Sequence, residues 1–360
     1  MKCMIGMKKT IAITRGDGCG PEVVNEGIKI LKTVSDFTDY EFEFNEAPAG
    51  GEVWKKHGVN LPEKSFDIIK KSDALLFGAI GLPDLKPGVA ESAILKLRQG
   101  LDLYVNLRPV KLYNTLREIC PLKDEFIGAG IDITFVRENT EGLYKNIGKL
   151  EEDSAENLMI YTREGCERII KFGYEYAKRM GHSKVTSVDK ANILKPSQLW
   201  RKIFHEIGDN YSNLETEDIY IDAFCQWLIR APYNFQTVVT GNMFGDIISD
   251  EAAFLIGSLG MASSGNIHPG KVSMYEPIHG SAPDIAGKGI ANPIGTILSV
   301  KLMFEESFDS SEIGNEIDHA VEEALQEGRT VDIKSKSLET LSTVEMGDLI
   351  ANKLKGKLKA

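Results

Sequence analysis

Short apolar runs alternate with amphipathic stretches along most of this chain, and that alternation limits its fold more than any other feature. Thr10–Thr14 is followed by a helical pattern after Pro21, Asp73–Phe77 by one from about Ala90, and Lys184–Val188 by one after Pro196. Strands separated by helical crossovers pair in parallel, so the pattern predicts an α/β fold with a parallel sheet or a mixed parallel and antiparallel one. Between Arg108 and about Thr240 the strand-like runs crowd together, at Ile131–Val136, Leu158–Thr162, Ile219–Asp222 and Thr237–Thr240, which reads as an inserted second domain. The first domain is then discontinuous, 1–103 plus 258–360, around a second of residues 104–257. The cleft between two such domains is the expected ligand site.

Composition excludes several function classes. The chain has 42 basic and 53 acidic side chains, a net charge of −11, and no stretch interleaves Arg or Lys with aromatics, so nucleic acid is not an expected partner. Lys353, Lys355, Lys357 and Lys359 read as a solvated helix end. The five cysteines are odd in number and show no CxxC spacing, which suggests neither a zinc site nor a disulfide framework and fits a reducing compartment. MKCMIGMKKT has no apolar signal region, and no run approaches about 18 apolar residues, so a soluble, cytoplasmic protein without membrane contact is expected.

Five constellations could carry chemistry. Gly16-Asp-Gly18-Cys-Gly20-Pro21-Glu22 ends a strand-like run; its GxGxG spacing makes a weak dinucleotide fingerprint, and a tight turn with Pro21 opening a helix is the stronger reading. On the helix after Ala90, Glu91, Ile94, Leu95 and Arg98 share one stripe, while Ala90, Ala93, Leu97 and Leu101 share another about 100° away, the second being an ordinary core face. With Arg108 and Arg137, Arg98 gives three planar forks able to clamp carboxylates; an interdomain salt-bridge cluster is the alternative.

Asp246 and Asp250 stand at i, i+4, an all-oxygen pair suited to Mg²⁺ or Mn²⁺ or, alternatively, to a helix dipole, and Asp222 ends a strand-like run as a possible third acid. Lys190 follows another strand-like run; such a lysine is ordinarily a surface residue, but beside a dication its pKa would fall toward that of a useful base. The segment from Glu276 to Pro293 is rich in small residues that allow close approach to a ligand, and its Asp284 suits a ribose diol while repelling a 2′-phosphate.

These blocks, GDGCGPE, NLRPVKLY, VRENTEGLY, DKANIL, GNMFGDIISDEAA and EPIHGSAPDIAGKGIANP, occur in one order from about Thr10 to Leu354. The order resembles the β-decarboxylating dehydrogenases, the family of isocitrate and isopropylmalate dehydrogenases. The resemblance implies that family's two-domain fold and a non-Rossmann NAD site, with Glu276, His279, Gly280, Ser281, Ala282, Asp284, Ile285 and Asn292 binding the cofactor. It implies Arg98, Arg108 and Arg137 as carboxylate binders, Tyr144 and Lys190 as catalytic groups, and Asp222 as both catalytic residue and metal ligand beside Asp246 and Asp250.

The resemblance further implies that Lys190 and Asp222 come from the partner subunit, hence a homodimer with shared active sites. The implied reaction is NAD- and Mg²⁺- or Mn²⁺-dependent oxidative decarboxylation of a 3-substituted malate. Glu91, Ile94 and Leu95 resemble the residues that contact an isopropyl group, which favours (2R,3S)-3-isopropylmalate, converted to 4-methyl-2-oxopentanoate in leucine biosynthesis. Homoisocitrate, isocitrate, tartrate or D-malate are the alternative substrates, and a catalytically silent regulatory subunit is a further alternative.

Overall fold

A computed structural model describes residues 7–86 and 88–359, apart from the side chains of Ala90 and Glu91. The chain divides into two compact units, residues 1–101 with 257–360, and residues 102–256.

In the first unit five strands lie in the order Tyr40–Glu46, Met7–Thr14, Ala74–Phe77, Ser273–Pro277, Ser263–Ile267. The first four are mutually parallel and the last is antiparallel to its neighbour. Ala74–Phe77 is buried along its whole length, as its unbroken apolar run requires of a strand covered on both faces. Helix Gly20–Phe37 begins with Pro21 in its first turn, where a missing N–H leaves nothing unsatisfied. It packs against Ile294–Ser307 and Thr343–Leu358. The C-terminal lysines are part of this packing: Lys357 reaches Glu323 at 2.7 Å, Lys353 pairs with Glu327, and Lys355 and Lys359 lie over the Phe37 ring.

The second unit repeats the plan, with strands in the order Val105–Lys111, Asp132–Glu138, Thr237–Thr240, Lys184–Asp189, Glu215–Tyr220, of which only the first is antiparallel. Helices Arg163–Met180, Lys195–Gly208, Ile221–Arg230 and Asn242–Leu255 complete it. Two expectations fail here. Leu158–Thr162 forms no strand; a single bridge joins Ile160 to Gly142, and Thr162 instead caps the helix that starts at Arg163. The strand expected to end at Asp222 stops at Tyr220, because Phe224 and Leu228, four residues apart, bury one side of a helix in which Asp222 occupies the first turn. No helix among the described residues is long and apolar enough to cross a membrane.

Candidate active site

In the second unit, the helix Asn242–Leu255 is fitted directly onto Arg137, a fully buried arginine at the end of the strand Asp132–Glu138. Gly245 makes the approach possible, since a Cβ there would lie 2.7 Å from Arg137 Cγ. Asn242 Oδ1 accepts from Arg137 Nη2 at 2.7 Å and from Nε at 3.2 Å, while Nη1 of the same guanidinium donates to Asp246 Oδ1. The other oxygen of Asp246 accepts from the Tyr144 hydroxyl at 2.5 Å, and the Tyr144 ring lies 5.3 Å from the Arg137 guanidinium carbon.

Arg108 joins the same cluster from the strand Val105–Lys111. Its Nη1 donates to Asp250 Oδ1 and to Ser249 Oγ, and its Nη2 lies 3.4 Å from Asp246 Oδ1. Its Nε is buried with no hydrogen-bond partner among the described residues, a donor left over for a ligand. Partial burial and then the repulsion of Asp246 hold the Asp250 carboxyl above its ordinary pKa, against the pull of Arg108 and Arg137. The helix starts at Asn242, so neither Asp246 nor Asp250 is in its first turn, and the dipole reading of the pair gives way to one in which two arginines face two carboxylates.

Lys190 and Asp222 form a separate pair. Lys190 follows the strand Lys184–Asp189, Asp222 lies one residue past the start of Ile221–Arg230, and Lys190 Nζ donates to Asp222 Oδ1 at 2.6 Å. That bond lowers the Asp222 pKa. Arg201 braces the two strand ends: it bonds both oxygens of Asp189, lies 2.6 Å from Asp218, and covers the Tyr220 ring. Among the described residues no three His, Cys, Asp or Glu side chains come together as a metal-binding group, so Asp222 is not joined to Asp246 and Asp250 within one chain.

In the first unit, the GDGCGPE turn and the 276–293 segment are built onto each other. Cys19 N–H donates to Ser281 O at 2.8 Å, and Glu22 accepts from the backbone N–H groups of Gly287 and Gly289. Asp17 is buried and accepts from the backbone of Gly51, Glu52 and Gly81, so its role is structural. Gly16 and Gly18 both have positive φ, as a tight strand-to-helix turn demands. Cys19 packs with Val23, Ala282, Ile285 and Ala291, and burial, helped by Glu22, pushes its thiol pKa up to about 11.

Of the expected cofactor residues, Asp284 is exposed, Gly280 is exposed and Ser281 half-buried. His279 Nδ1 donates to Gly280 O at 2.9 Å, while its Nε2 is buried without a partner among the described residues. Asn292 also bonds within the chain: it accepts from Ile294 N–H at the start of a helix and donates to Asp332 at 3.0 Å. Arg98 Nε donates to Asn266, which in turn donates to Glu276 at 2.7 Å. Ala93, Leu97 and Leu101 are buried, whereas Ile94 and Leu95 on the other stripe remain half-exposed within their own unit. The Glu91 side chain lies outside the described residues.

The family model for isocitrate/isopropylmalate dehydrogenase matches residues 10–350. The chain belongs to this family. Among curated relatives, the 3-isopropylmalate dehydrogenase of Aquifex aeolicus is 44% identical over 97% of this chain and 98% of its own. That of Thermotoga maritima is 44% identical over 96% and 98%. Among solved structures, isocitrate dehydrogenase from Methylococcus capsulatus matches with a TM-score of 0.87 at 34% identity, covering 96% of this chain and 99% of that one. A β-decarboxylating dehydrogenase from Thermococcus kodakarensis matches with 0.80 at 36%, covering 97% and 96%.

Within this family fold the expected residues fall into three groups: Arg108, Arg137, Tyr144, Asp246 and Asp250; Lys190 with Asp222; and, in the other unit, Arg98 with the 276–293 segment. Sequence reasoning missed Tyr161 and Arg201 and gave no role to Asn242 or Glu22, all of which position a group rather than present one. Only Asn242 carried a signal, its place between the end of a strand-like run and the Asp246 pair.

Proposed function

We propose that this protein is an NAD-dependent, divalent-metal-dependent dehydrogenase that oxidatively decarboxylates (2R,3S)-3-isopropylmalate to 4-methyl-2-oxopentanoate, the leucine-pathway reaction. One observation carries the reading: two arginines, two carboxylates and a tyrosine hydroxyl interlock around Arg137 in a chain 44% identical to curated 3-isopropylmalate dehydrogenases.

Arg108 and Arg137, with Arg98 from the first unit, are the proposed carboxylate binders, and the unpartnered Nε of Arg108 is one donor available for that work. Asp246 and Asp250 fit a hard dication by donor chemistry, since both offer only oxygen and their mutual repulsion is relieved by a cation. A bound dication would make the 2-hydroxyl more acidic, and NAD would accept the hydride from C2. Lys190, relayed by Asp222, takes the hydroxyl proton. Loss of the C3 carboxylate as CO₂ leaves an enolate, and Tyr144 delivers a proton to C3.

The proposed assembly is a homodimer in which Lys190 and Asp222 of a second copy complete each site. Helices Ile221–Arg230 and Asn242–Leu255 are in contact, and each carries exposed apolar side chains on the face of an expected metal acid: Ile229 seven residues after Asp222, and Ile247 and Phe254 on either side of Asp250. Phe254 is 62% exposed and Ile247 58%. The hairpin Gly148–Leu150 with Ala155–Asn157 adds Leu150, 85% exposed. For the cofactor, Asp284 would meet a 2′-phosphate as a like charge, which favours NAD. The test is NADH formation from 3-isopropylmalate with NAD and Mg²⁺; no absorbance change with native protein contradicts the reading.

A further inference from the structure

We propose that Asn242 is a positioning residue that orients the Arg137 guanidinium without adding a further negative charge beside it, and so does not repel a substrate carboxylate. This rests on the reading of Arg137 as a carboxylate binder.

Asn242 is fully buried at the first position of its helix. Its side-chain oxygen takes two donors from one guanidinium edge, Nη2 at 2.7 Å and Nε at 3.2 Å. Its amide nitrogen donates to the Glu141 carbonyl at 3.2 Å, and that contact decides which end of the amide faces the arginine, because a carbonyl can only accept. The main chain is fixed as well. Asn242 N–H donates to the Tyr161 hydroxyl at 2.8 Å, and Tyr161 fits so closely under Gly142 and Gly241 that a Cβ on either would come within 2.5 and 2.6 Å of its hydroxyl oxygen.

A carboxylate makes a stronger bond to an arginine edge than a neutral amide oxygen does. Here the edge is met by a neutral oxygen although a carboxylate oxygen in the same place would accept the same two bonds. Asp246 already draws on the guanidinium at Nη1. With Arg108 and Arg137 already facing Asp246 and Asp250, a further carboxylate at Nε and Nη2 would turn a formally balanced group net negative toward an anionic ligand. The amide therefore orients the fork and adds no negative charge.

The experiment compares Asn242→Asp, which keeps size and acceptor but adds charge, with Asn242→Ser, which stays neutral but loses the contact. The expected result is a KM for 3-isopropylmalate raised at least about tenfold in Asn242→Asp and less than about fivefold in Asn242→Ser. Thermal unfolding should show the opposite order, with the Ser variant losing more, and the KM for NAD should stay unchanged in both. A purely structural role predicts that Asp is tolerated better than Ser in KM as well, and that order overturns the proposal. If Asn242→Asp does not fold, a rise above tenfold in folded Asn242→Ser overturns it, because the contribution then lies in the contact and not in its neutrality. Calorimetric titration of 3-isopropylmalate with Mg²⁺ and no NAD separates this inference from the proposed function. Native protein that binds the dicarboxylate but reduces no NAD contradicts the function, while the variant ranking in binding still decides the role of Asn242. Native protein that binds no dicarboxylate overturns both.

Discussion

Lys190 donates to Asp222 across 2.6 Å, from the end of one strand to the first turn of the helix that follows the neighbouring strand. Register places Asp189 opposite Tyr220, so the spacing of the two groups is fixed by backbone pairing and by Arg201, and not by side-chain flexibility. The pair is therefore held in place for the proton transfer proposed above. Lys190→Met and Tyr144→Phe should each lower turnover by at least roughly 100-fold, the usual scale for removing a positioned acid or base, with NAD binding retained. Steady-state turnover and NADH fluorescence titration measure the two properties separately, and near-native turnover in either variant removes that residue from the mechanism.

Metal dependence follows from the donor set. Exhaustive chelation should abolish activity, and Mg²⁺ or Mn²⁺ should restore it, since Asp222, Asp246 and Asp250 supply only oxygen. Asp250→Asn should shift the metal concentration for half-maximal activity upward without unfolding the chain, because Asp250 is half exposed and its arginine partner retains Ser249. Full activity of the chelated native protein contradicts the assignment.

The first unit has its own test. Asp17→Ala leaves the N–H groups of Gly51, Glu52 and Gly81 without their carboxylate acceptor, at a cost of about 1–3 kcal/mol for a buried donor so stranded. Denaturant unfolding should show a lower midpoint, and an unchanged midpoint would mean that water replaces the carboxylate without penalty.

Stability should also fall in mild acid. His182 is half-buried, with Nδ1 2.8 Å from Thr237 Oγ1, and burial lowers its pKa below the ordinary value of about 6.5. The unfolded chain then takes up the proton first, so stability is fully present above about pH 6.5 and is lost as pH falls below that value. Burial lowers the His279 pKa too and gives the same sign. The urea midpoint of the native protein should drop between pH 7 and 5.5, and His182→Gln should reduce the drop; an undiminished drop in the variant assigns the effect elsewhere.

The strands at Thr10–Thr14, Asp73–Phe77, Ile131–Val136, Lys184–Val188 and Thr237–Thr240, the helices after Pro21, Ala90 and Pro196, and the turn at Gly16–Glu22 were legible because each rests on local signals: unbroken apolar runs, helical periodicity, Pro21 and Pro196 at helix starts. Asp222 was placed on the wrong element because Tyr220 and Ile221 continue an apolar run that backbone pairing abandons one residue earlier. Arg108 and Arg137 were visible as residue types, but the carboxylates they meet lie more than a hundred positions further along the chain, and no periodicity reports such a contact. Asn292 was visible as an expected cofactor residue, but its bonds to Ile294 N–H and to Asp332, 40 positions away, left no trace in the sequence.

Substrate choice tests the account most directly. Ile94 and Leu95 stand half-buried on the helix stripe that also carries Arg98, and burying an isopropyl group against them should be worth about 1–3 kcal/mol, or about 10- to 200-fold in kcat/KM over an unsubstituted malate. A carboxylate in the same place would be desolvated against alkyl groups, a larger penalty. With NAD at one Mg²⁺ concentration, kcat/KM should rank 3-isopropylmalate above D-malate, with isocitrate and homoisocitrate far below, and Ile94→Asn should lose most of the preference for isopropylmalate. A native preference for isocitrate or homoisocitrate, or an Ile94→Asn variant with unaltered isopropylmalate turnover, contradicts the assignment.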